Sequence, residues 1–107
     1  MSKLLEQQFS FTLNIGKLIL WIYEQGYTAT LGEGYDDDGT GHMQGSLHYK
    51  RLAQDINLFK DGVWLKGTED HKRVGEAWKS LHPLNRWGGD FRKKDGNHYS
   101  MEFEGRR

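Results

Sequence analysis

The chain has 107 residues, of which 36% are apolar, so it can form one small domain with a limited hydrophobic core. Fifteen acidic side chains balance fifteen basic ones, and this zero formal charge gives no support to a general role in binding nucleic acid. Cysteine is absent, which excludes disulfides, thiolate metal ligands and cysteine nucleophiles. We therefore expect one domain over residues 1–107, behaving as a monomer.

The first predicted element is a helix over residues 11–23. Its apolar side chains recur at the spacing of one buried helix face: Phe11, Ile15, Leu18 and Ile22. Ser10 is a suitable N-cap and Gly26 a suitable stop. Polar residues interrupt the run, which lacks the length of a membrane span, and no segment resembles an export signal. We therefore expect a core helix and no membrane insertion.

Three segments in the first two thirds of the chain favour strands. Residues 27–31 predict one strand, and residues 53–59 predict a second, which an Asp-Gly turn joins to a third at residues 63–65. Alternation puts Asp55 and Asn57 on the polar face of the second strand. Asp55 is then free to face a site, and Asn57 could support it with a hydrogen bond.

Residues 32–45, between the first two strands, are rich in glycine and acidic residues. Three adjacent carboxylates could suggest calcium, but they lack the alternating ligands and closing glutamate of an EF-hand loop. We interpret the segment as a solvated loop at the mouth of a cleft. His42 belongs to this loop and is expected to be exposed.

The second predicted helix covers residues 68–81, with Thr68 as its cap. The apolar stripe of this helix places His71 on the opposite, polar side, so His71 is left out of the metal site. His82 precedes Pro83, and the residue before a proline disfavours helical geometry, which ends the helix there. His82 is the main rival to the metal ligands proposed below.

A loop over residues 87–95 and a strand over residues 97–104 complete the chain. Alternation gives this strand one apolar face, formed by Tyr99, Met101 and Phe103, and one polar face, formed by His98, Ser100 and Glu102. The polar face should line a cleft, where Glu102 could orient a ligand histidine by accepting its second ring proton. We therefore expect an α+β fold, with a small antiparallel sheet carrying the site and two main helices packed on its other face.

Two histidines and one carboxylate form a candidate metal site. His48 and Asp55 lie about 10 Å apart along a helix or about 23 Å apart along a strand. Neither spacing fits a single ion bound at about 2.0–2.2 Å, so the chain must turn between them. We expect His48 on a loop, Asp55 at the start of a strand and His98 on a neighbouring strand. Three such ligands leave one position open, as in catalytic zinc sites, although the same atoms also suit other divalent metals.

These residues resemble motifs of the M15 family of zinc peptidases. The similar segments are Ser46-x-His48-x6-Asp55, Trp87-Gly88-Gly89-Asp90 and Asp95-x-x-His98-Tyr99-Ser100-x-Glu102. The family includes D-alanyl-D-alanine carboxypeptidases and dipeptidases, and phage endolysins that cut L-alanyl-D-glutamate bonds in peptidoglycan. The resemblance covers residues 10–105 and implies a Hedgehog/DD-peptidase-like fold.

The resemblance also implies roles for individual residues. His48, Asp55 and His98 match the zinc ligands of the family. Asp95 matches the catalytic carboxylate, three residues before the last ligand. In this role it would take a proton from the attacking water and deliver it to the leaving amine.

The residues that would bind substrate are less regular. Ser46 matches the serine before the first ligand, and Trp87 matches a tryptophan near the substrate cleft. The substrate-binding arginine of the family usually follows a Gly-Glu-x-Tyr segment, but here that segment is followed by Asp36. The candidate substitutes are Arg51, Arg86 and Arg92.

The resemblance implies a zinc-dependent peptidase that hydrolyses an amide bond of the peptidoglycan stem peptide. The small single domain is similar to phage endolysins, which favours an L-alanyl-D-glutamate endopeptidase over a D-alanyl-D-alanine carboxypeptidase. Two alternatives stay open: an inactive, zinc-containing module that binds the cell wall, and a metal-free domain whose histidines only form core hydrogen bonds. Without an export signal, we expect synthesis in a host cytoplasm and delivery to the wall by lysis, a holin or a virion.

Overall fold

A computed structural model describes residues 1–34 and 47–107. Its regular elements in chain order are α1 (Lys3–Glu24), β1 (Thr28–Leu31), β2 (Ala53–Lys60), β3 (Val63–Leu65), α2 (Lys72–Leu81), β4 (Asn85–Trp87) and β5 (His98–Met101). Single 3-10 turns are also present, at Leu47–Lys50, Thr68–His71 and Gly88–Asp90. None of the described helices is both long enough and apolar enough to cross a lipid bilayer.

The strands form one antiparallel sheet in the order β1-β2-β5-β4, and β3 pairs with the far end of β2. The predicted α+β class is therefore confirmed. The hairpin between β2 and β3 turns at Asp61 and Gly62, both of which have positive φ angles, 52° and 79°. Two such residues in succession match the right-handed twist of the paired strands, as the Asp-Gly signal predicted.

The two helices cover the apolar face of the sheet. α2 packs against β4, and α1 packs against α2 and β1. Trp78 of α2 lies at the centre of this core, with its ring edge-on to Phe11 of α1 at 5.7 Å and to Tyr99 of β5 at 6.3 Å. Its indole N–H donates to the carbonyls of Arg86 and Ser100, each at 3.0 Å. This side chain therefore fixes α2 to the two strands β4 and β5.

α1 begins eight residues earlier than the sequence pattern predicted. Ser2, not Ser10, is the N-cap, and its hydroxyl accepts from the Leu5 amide at 3.1 Å. The extra turns contain leucine, glutamate and glutamine, which lose little side-chain freedom in a helix and so extend it without a strong apolar period. The predicted stop is confirmed, since Gly26 follows the helix with a φ of 90°.

The start of α2 also differs from the prediction. Thr68 does not cap an α-helix, because Thr68–His71 forms a 3-10 turn after Gly67, whose amide donates to Asp70 at 3.0 Å. A 3-10 turn has about three residues per turn, so side chains rotate relative to an α-helical pattern. His71 is consequently buried against the sheet rather than placed on a polar helix face.

Strand β4 was not predicted: it lies between the predicted second helix and the predicted loop, and only its last residue, Trp87, falls in that loop. It has only three residues, and they show no alternation of apolar and polar side chains in the sequence. Its pairing with β5 aligns Arg86 with Ser100 and Trp87 with Tyr99. The remaining part of the predicted loop contains the turn Gly88–Asp90 and leads back to β5.

Candidate metal centre

Three side chains from separate parts of the chain meet on the polar side of the sheet. His48 comes from the turn Leu47–Lys50, Asp55 from β2, and His98 from the first position of β5. Asp55 and His98 are direct partners in the pairing of β2 with β5, which places them side by side. Both histidines are buried, and Asp55 is partly buried. The sheet pairing therefore brings together two ligands that are far apart in sequence.

The three facing atoms form a nearly equilateral triangle. His48 Nε2 lies 3.3 Å from His98 Nδ1 and 3.4 Å from Asp55 Oδ1, and His98 Nδ1 lies 3.5 Å from the same oxygen. A tetrahedron with metal–ligand bonds of about 2.0–2.1 Å has edges of about 3.3–3.4 Å. The observed separations match one face of such a tetrahedron, and among the described residues these three form a group able to hold a metal ion.

The hydrogen-bonding state of these atoms also fits a cation. Asp55 Oδ1 is shielded from solvent and, within the described part of the chain, accepts no hydrogen bond. A buried carboxylate oxygen without a donor is costly unless a cation or another proton donor satisfies it. Two imidazole nitrogens and a carboxylate oxygen are the ligand types that zinc and neighbouring divalent metals accept.

The orientation of His48 is fixed from outside the triangle. Its Nδ1 lies 2.7 Å from the carbonyl oxygen of Gly34, which can only accept a hydrogen bond. The Nδ1 nitrogen therefore carries the proton in the neutral ring, and the Nε2 lone pair faces Asp55 and His98. Gly34 also lies close to Gln54, because a Cβ at position 34 would displace the flexible Gln54 side-chain amide.

Electrostatics keep the carboxylate of the triangle ionised. Burial by itself would raise the pKa of Asp55, but the two neighbouring histidines outweigh it and lower the pKa to about 2. Burial alone would lower the pKa of His48, but the Asp55 carboxylate and the Gly34 carbonyl raise it overall. At neutral pH the centre therefore presents an anionic oxygen between two nitrogens.

A cavity of about 310 Å³ is lined by sequence neighbours of Asp55 and His98, although the three ligands themselves do not line it. Its lining residues are Asn57, Trp64, Leu65, Lys66, Thr68, His71, Lys94, Asp95, Gly96 and Asn97. Asn57 follows Asp55 on the same face of β2, and Asn97 directly precedes His98, so two lining residues of the cavity are close in the chain to two of the ligands. Their side chains are 3.3 Å apart, and Asn97 donates to Asn57.

Asp95 is an exposed residue at the edge of this cavity. Its backbone is held on both sides, because its amide donates to the Gly88 carbonyl at 2.9 Å and its carbonyl accepts from the His98 amide at 3.1 Å. The backbone at Asp95 passes so close to Gly88 that residue 88 must be glycine, since a Cβ there would overlap the Asp95 carbonyl oxygen. We call this close approach the crossing at Gly88. The position of Asp95 is thus tied to the start of the strand that carries His98.

Trp87 is only 4% exposed and lies in the core. Its indole N–H donates to the Gly96 carbonyl at 2.7 Å, and added Cβ atoms at Gly75 or Gly89 would overlap its ring. A ring with so little accessible surface supports the loop around Gly96 more readily than it contacts a substrate. The structure thus places Trp87 near the cleft but beneath its surface.

The contacts of Glu102 correct the prediction that it orients a ligand histidine. Its carboxylate accepts from Arg86 Nε at 3.2 Å. Four residues along a strand span about 13 Å, so Glu102 is too far from His98 even though both were predicted on one face. Arg86 is committed to this pair and to the Pro83 and Asn85 carbonyls, which weakens its candidacy as a substrate-binding arginine.

The other predicted residues fall into three groups. Ser46, Asp36 and His42 lie outside the described residues. Arg51 and Arg92 are exposed, and Arg51 follows the turn that carries His48, with a φ of 56°. His82 accepts a hydrogen bond from the Leu84 amide at 3.0 Å and is not part of the metal-binding group.

Two residues at the cavity were missed from the sequence. His71 is buried, and its Nδ1 lies 2.7 Å from the hydroxyl of Tyr99, the neighbour of His98. Trp64 is half exposed on β3 and forms part of the cavity wall. The hairpin signal located Trp64 on a strand, but its place in the cavity wall depends on how β3 pairs with β2.

Comparison with known proteins identifies the family. The sequence model described as D-alanyl-D-alanine carboxypeptidase, of the M15 peptidases, matches residues 40–101, which is more than half of the chain. No curated protein matches the sequence. Among solved structures, the fold is similar to the crystal structure of the Serratia marcescens L-Ala D-Glu endopeptidase ChiX, with a TM-score of 0.67 and 18% sequence identity. The similarity covers 92% of this chain and 85% of that one. The chain therefore belongs to the M15 family of metallopeptidases.

Proposed function

We propose that this protein is a zinc-dependent peptidase that hydrolyses an amide bond in the stem peptide of peptidoglycan. The observation that carries the proposal is the triangle formed by His48, Asp55 and His98, whose edges of 3.3–3.5 Å match one face of a tetrahedral zinc site. An open cavity is lined by Asn57, two residues after Asp55, and by Asn97, directly before His98, so a substrate bound there would lie near the triangle.

Different residues would bind the metal and transfer the proton. His48, Asp55 and His98 would hold the ion, which supplies Lewis acidity that activates water and polarises the scissile carbonyl. Asp95 would accept the proton of the attacking water and then donate it to the leaving amine. Its exposure keeps the carboxylate available for this exchange, and its backbone bond to His98 limits how far it can move from the centre.

The cavity offers a path for an extended peptide. Trp64 provides an apolar wall, and Asn57 and Asn97 provide amide groups on the floor. The ammonium groups of Lys66 and Lys94 add positive charge, which suits a substrate that carries carboxylates. These lysines join Arg51 and Arg92 as groups that could take the part of the family arginine absent at Asp36, while Ser46 remains a proposed contact from the sequence motif.

An L-alanyl-D-glutamate endopeptidase is the activity we favour. The structural similarity to ChiX extends over nearly all of both chains, so this compact form of the fold is compatible with that reaction. The description of the matching family model supports the alternative of a D-alanyl-D-alanine carboxypeptidase. An inactive cell-wall binding module is the third possibility, and the exposed Asp95 beside the cleft argues against it.

The biological setting we propose is that of an endolysin. The protein would be made in a host cytoplasm and would reach the cell wall after holin-dependent release or as part of a virion. Its formal charge of zero gives no general attraction to anionic polymers, so we expect recognition of the wall to depend mainly on the cleft.

The first experiment is digestion of purified Gram-negative sacculi by the zinc-loaded protein, with the released muropeptides identified by mass spectrometry. New termini at alanine and glutamate would establish the endopeptidase, and loss of a terminal D-alanine would establish the carboxypeptidase. Unchanged muropeptides, with zinc measured at one ion per chain, would favour the binding module.

Variants of Asp95 and His98 separate catalysis from metal binding. Asp95→Asn should lower turnover by about a hundredfold or more while keeping zinc, because only the proton carrier is lost. His98→Ala should lose both zinc and turnover. Asp61→Asn is a matched control, since Asp61 lies in a hairpin turn with a left-handed φ that asparagine also adopts. Full activity in Asp95→Asn would refute the role given to Asp95.

A further inference from the structure

α1 has a second apolar face that points away from the core. Its core face is formed by Phe11, Asn14, Leu18 and Ile22. Its outer face carries four large apolar side chains that are between 40% and 67% exposed: Leu5, Phe9, Leu13 and Leu20. Their spacings of four, four and seven residues keep them in one stripe along the helix. A helix that is apolar on two opposite sides is suited to packing against a second partner.

Gly16 interrupts this stripe between Leu13 and Leu20. It lies in the interior of a 22-residue helix, where glycine costs about 1 kcal/mol relative to alanine. A Cβ at this position would meet nothing within 4 Å, so the fold of the single chain does not require glycine there. The missing side chain leaves a shallow socket in the outer face, with Leu13 and Leu20 on either side.

We propose that this face binds a second copy of the same chain, with the two α1 helices antiparallel. A two-fold axis passing between Thr12 and Leu13 places Phe9 of each copy over Gly16 of the other. The same axis places Leu5 of each copy opposite Leu20 of the other. Phe9, the largest side chain of the stripe, therefore packs over Gly16, which has no side chain. Because each copy contributes both residues, the stripe is complementary to itself, as a two-fold interface requires.

The charged residues beside the stripe are arranged for the same pairing. Lys3, Glu6, Lys17 and Glu24 all lie on the same flank of the helix. Around the two-fold axis, Glu6 comes within about one turn of Lys17 of the second copy, and Lys3 comes equally close to Glu24. Each copy thus contributes to opposite-charge pairs at both ends of the interface, whereas a parallel two-fold pair would place the two charged flanks on opposite sides of the dimer, where they could not meet.

This charge pattern also argues against a membrane surface as the partner. The outer flank carries two basic and two acidic side chains, so it has no net positive charge. Helices that lie on anionic membranes are usually rich in lysine and arginine on the polar side. A second copy would satisfy both the apolar stripe and the alternating charges, so the proposed dimer differs from the monomer expected from the sequence.

A groove between α1 and α2 extends the surface. It has a volume of about 310 Å³ and is lined by Lys17, Leu18, Leu20, Trp21, Glu24, Ala77, Ser80 and Leu81. The antiparallel arrangement directs the first turn of the second copy toward this groove, because Leu5 lies opposite Leu20. A single helix face is smaller than a standard interface of about 800 Å² per partner, so we expect a weak dimer with a dissociation constant that is roughly micromolar or higher.

Sedimentation equilibrium of the full chain over a range of concentrations tests the dimer. The wild type should change from monomer to dimer between about 1 and 100 µM. Leu13→Glu should raise the dissociation constant more than tenfold, because it places charges beside the two-fold axis. Val63→Glu introduces the same charge at a residue of similar exposure outside α1, and it should leave association unchanged. Circular dichroism confirms that each variant is folded.

Charge reversal tests whether the partner is the same chain. Glu6→Lys and Lys17→Glu should each weaken association by roughly fivefold, since each replaces two attractive pairs with repulsive ones. The double variant should recover the wild-type constant, because the pairs are restored with their signs exchanged. Recovery is not expected if the face binds a different protein or a lipid.

Single cysteines test the direction of the helices, and the chain has no cysteine of its own to interfere. Under mild oxidation, Thr12→Cys should form a disulfide-linked dimer, because this position lies next to the axis. Lys3→Cys should not, because the two copies of residue 3 lie about 28 Å apart in the antiparallel pair. Cross-linking through residue 3 but not residue 12 would overturn the antiparallel arrangement.

Two other results would overturn the proposal. One is a wild-type protein that stays monomeric at several hundred micromolar. The other is an association that Leu13→Glu does not weaken. Binding of a monomeric wild type to phosphatidylethanolamine and phosphatidylglycerol vesicles, lost in Leu13→Glu, would assign the face to a membrane instead. The dimer does not depend on the proposed peptidase activity, because none of these measurements uses turnover.

Discussion

At the scale of single residues, the buried His71 lines the cavity and also affects the stability of the fold. Burial lowers its pKa, and this effect outweighs the Leu65 carbonyl and the carboxylates of Asp70 and Asp95, which act in the opposite direction. Its ring also contacts the Tyr99 hydroxyl at 2.7 Å. The neutral imidazole is therefore the form that the folded protein accepts.

This lowered pKa predicts a loss of stability in mild acid. Below about pH 6.5 the unfolded chain takes up a proton at His71 that the folded protein resists, so the free energy of unfolding falls as the pH decreases. Above that pH the contribution of His71 is fully present. We expect metal-free wild type to lose more stability between pH 7.5 and 5.0 than His71→Gln, as measured by urea unfolding in EDTA.

His82→Gln provides the matched control, because it removes a histidine from a partly exposed position outside the core. It should keep the pH dependence of the wild type. The metal-site histidines are present in all three proteins, so their titration cancels in the comparison. Equal losses in wild type and His71→Gln would show that His71 does not control the response to acid.

The residues of the centre differ in how far the sequence could reveal them. His48, Asp55 and His98 were predicted together because only certain residue types bind metals and because their spacing excluded one straight element. The carbonyl of Gly34 could not be predicted, since every residue has a carbonyl and only the fold brings this one to His48. His71 was placed on the wrong side because its turn is not α-helical.

At the scale of elements, pairing between strands positions the chemistry. The alternation in β2 correctly placed Ile56 and Leu58 in the core and Asp55 on the opposite face. The alternation cannot tell which strand lies beside β2, and that neighbour is β5, from the far end of the chain. The short β4 was not predicted at all, because it depends on pairing with β5 and on the contact between Trp78 and Arg86.

The crossing at Gly88 predicts a sharp effect of a small substitution. Gly88→Ala should destabilise the protein, because the new methyl overlaps the Asp95 carbonyl and lies 2.8 Å from the His98 Cβ. We expect overpacking to lower the free energy of unfolding by about 1–3 kcal/mol, and by more if the loop cannot move. Zinc affinity should fall as well, since β5 begins at His98. Urea unfolding and a zinc titration would measure the two effects.

Gly16→Ala is the control for this substitution. It makes the same change in α1, where a Cβ has open space, and at low protein concentration it should stabilise the fold by up to about 1 kcal/mol. A Gly88→Ala protein that keeps both the stability and the zinc affinity of the wild type would contradict the close packing seen at the crossing.

At the scale of the whole molecule, the metal centre joins segments that the chain separates widely. The centre joins the turn that carries His48 to β2 and to the last strand, β5. Gly34 is joined to it as well, because its carbonyl lies within hydrogen-bond distance of the His48 ring. The site does not exist in the unfolded chain, so an ion that binds it stabilises the folded state. A small domain without disulfides has few other long-range links of this kind.

Zinc should therefore raise the melting temperature of the protein, and chelation should lower it. At a free zinc concentration of a hundred times the dissociation constant, binding contributes about 2.7 kcal/mol, which corresponds to roughly 10–20 °C for a domain of this size. Differential scanning calorimetry with zinc and with EDTA would measure the shift. His98→Ala should show little shift because it removes one of three ligands, whereas Asp95→Asn should show the full shift because Asp95 is not part of the ligand triangle. An equal rise in His98→Ala and wild type would place the stabilising ion at a different site.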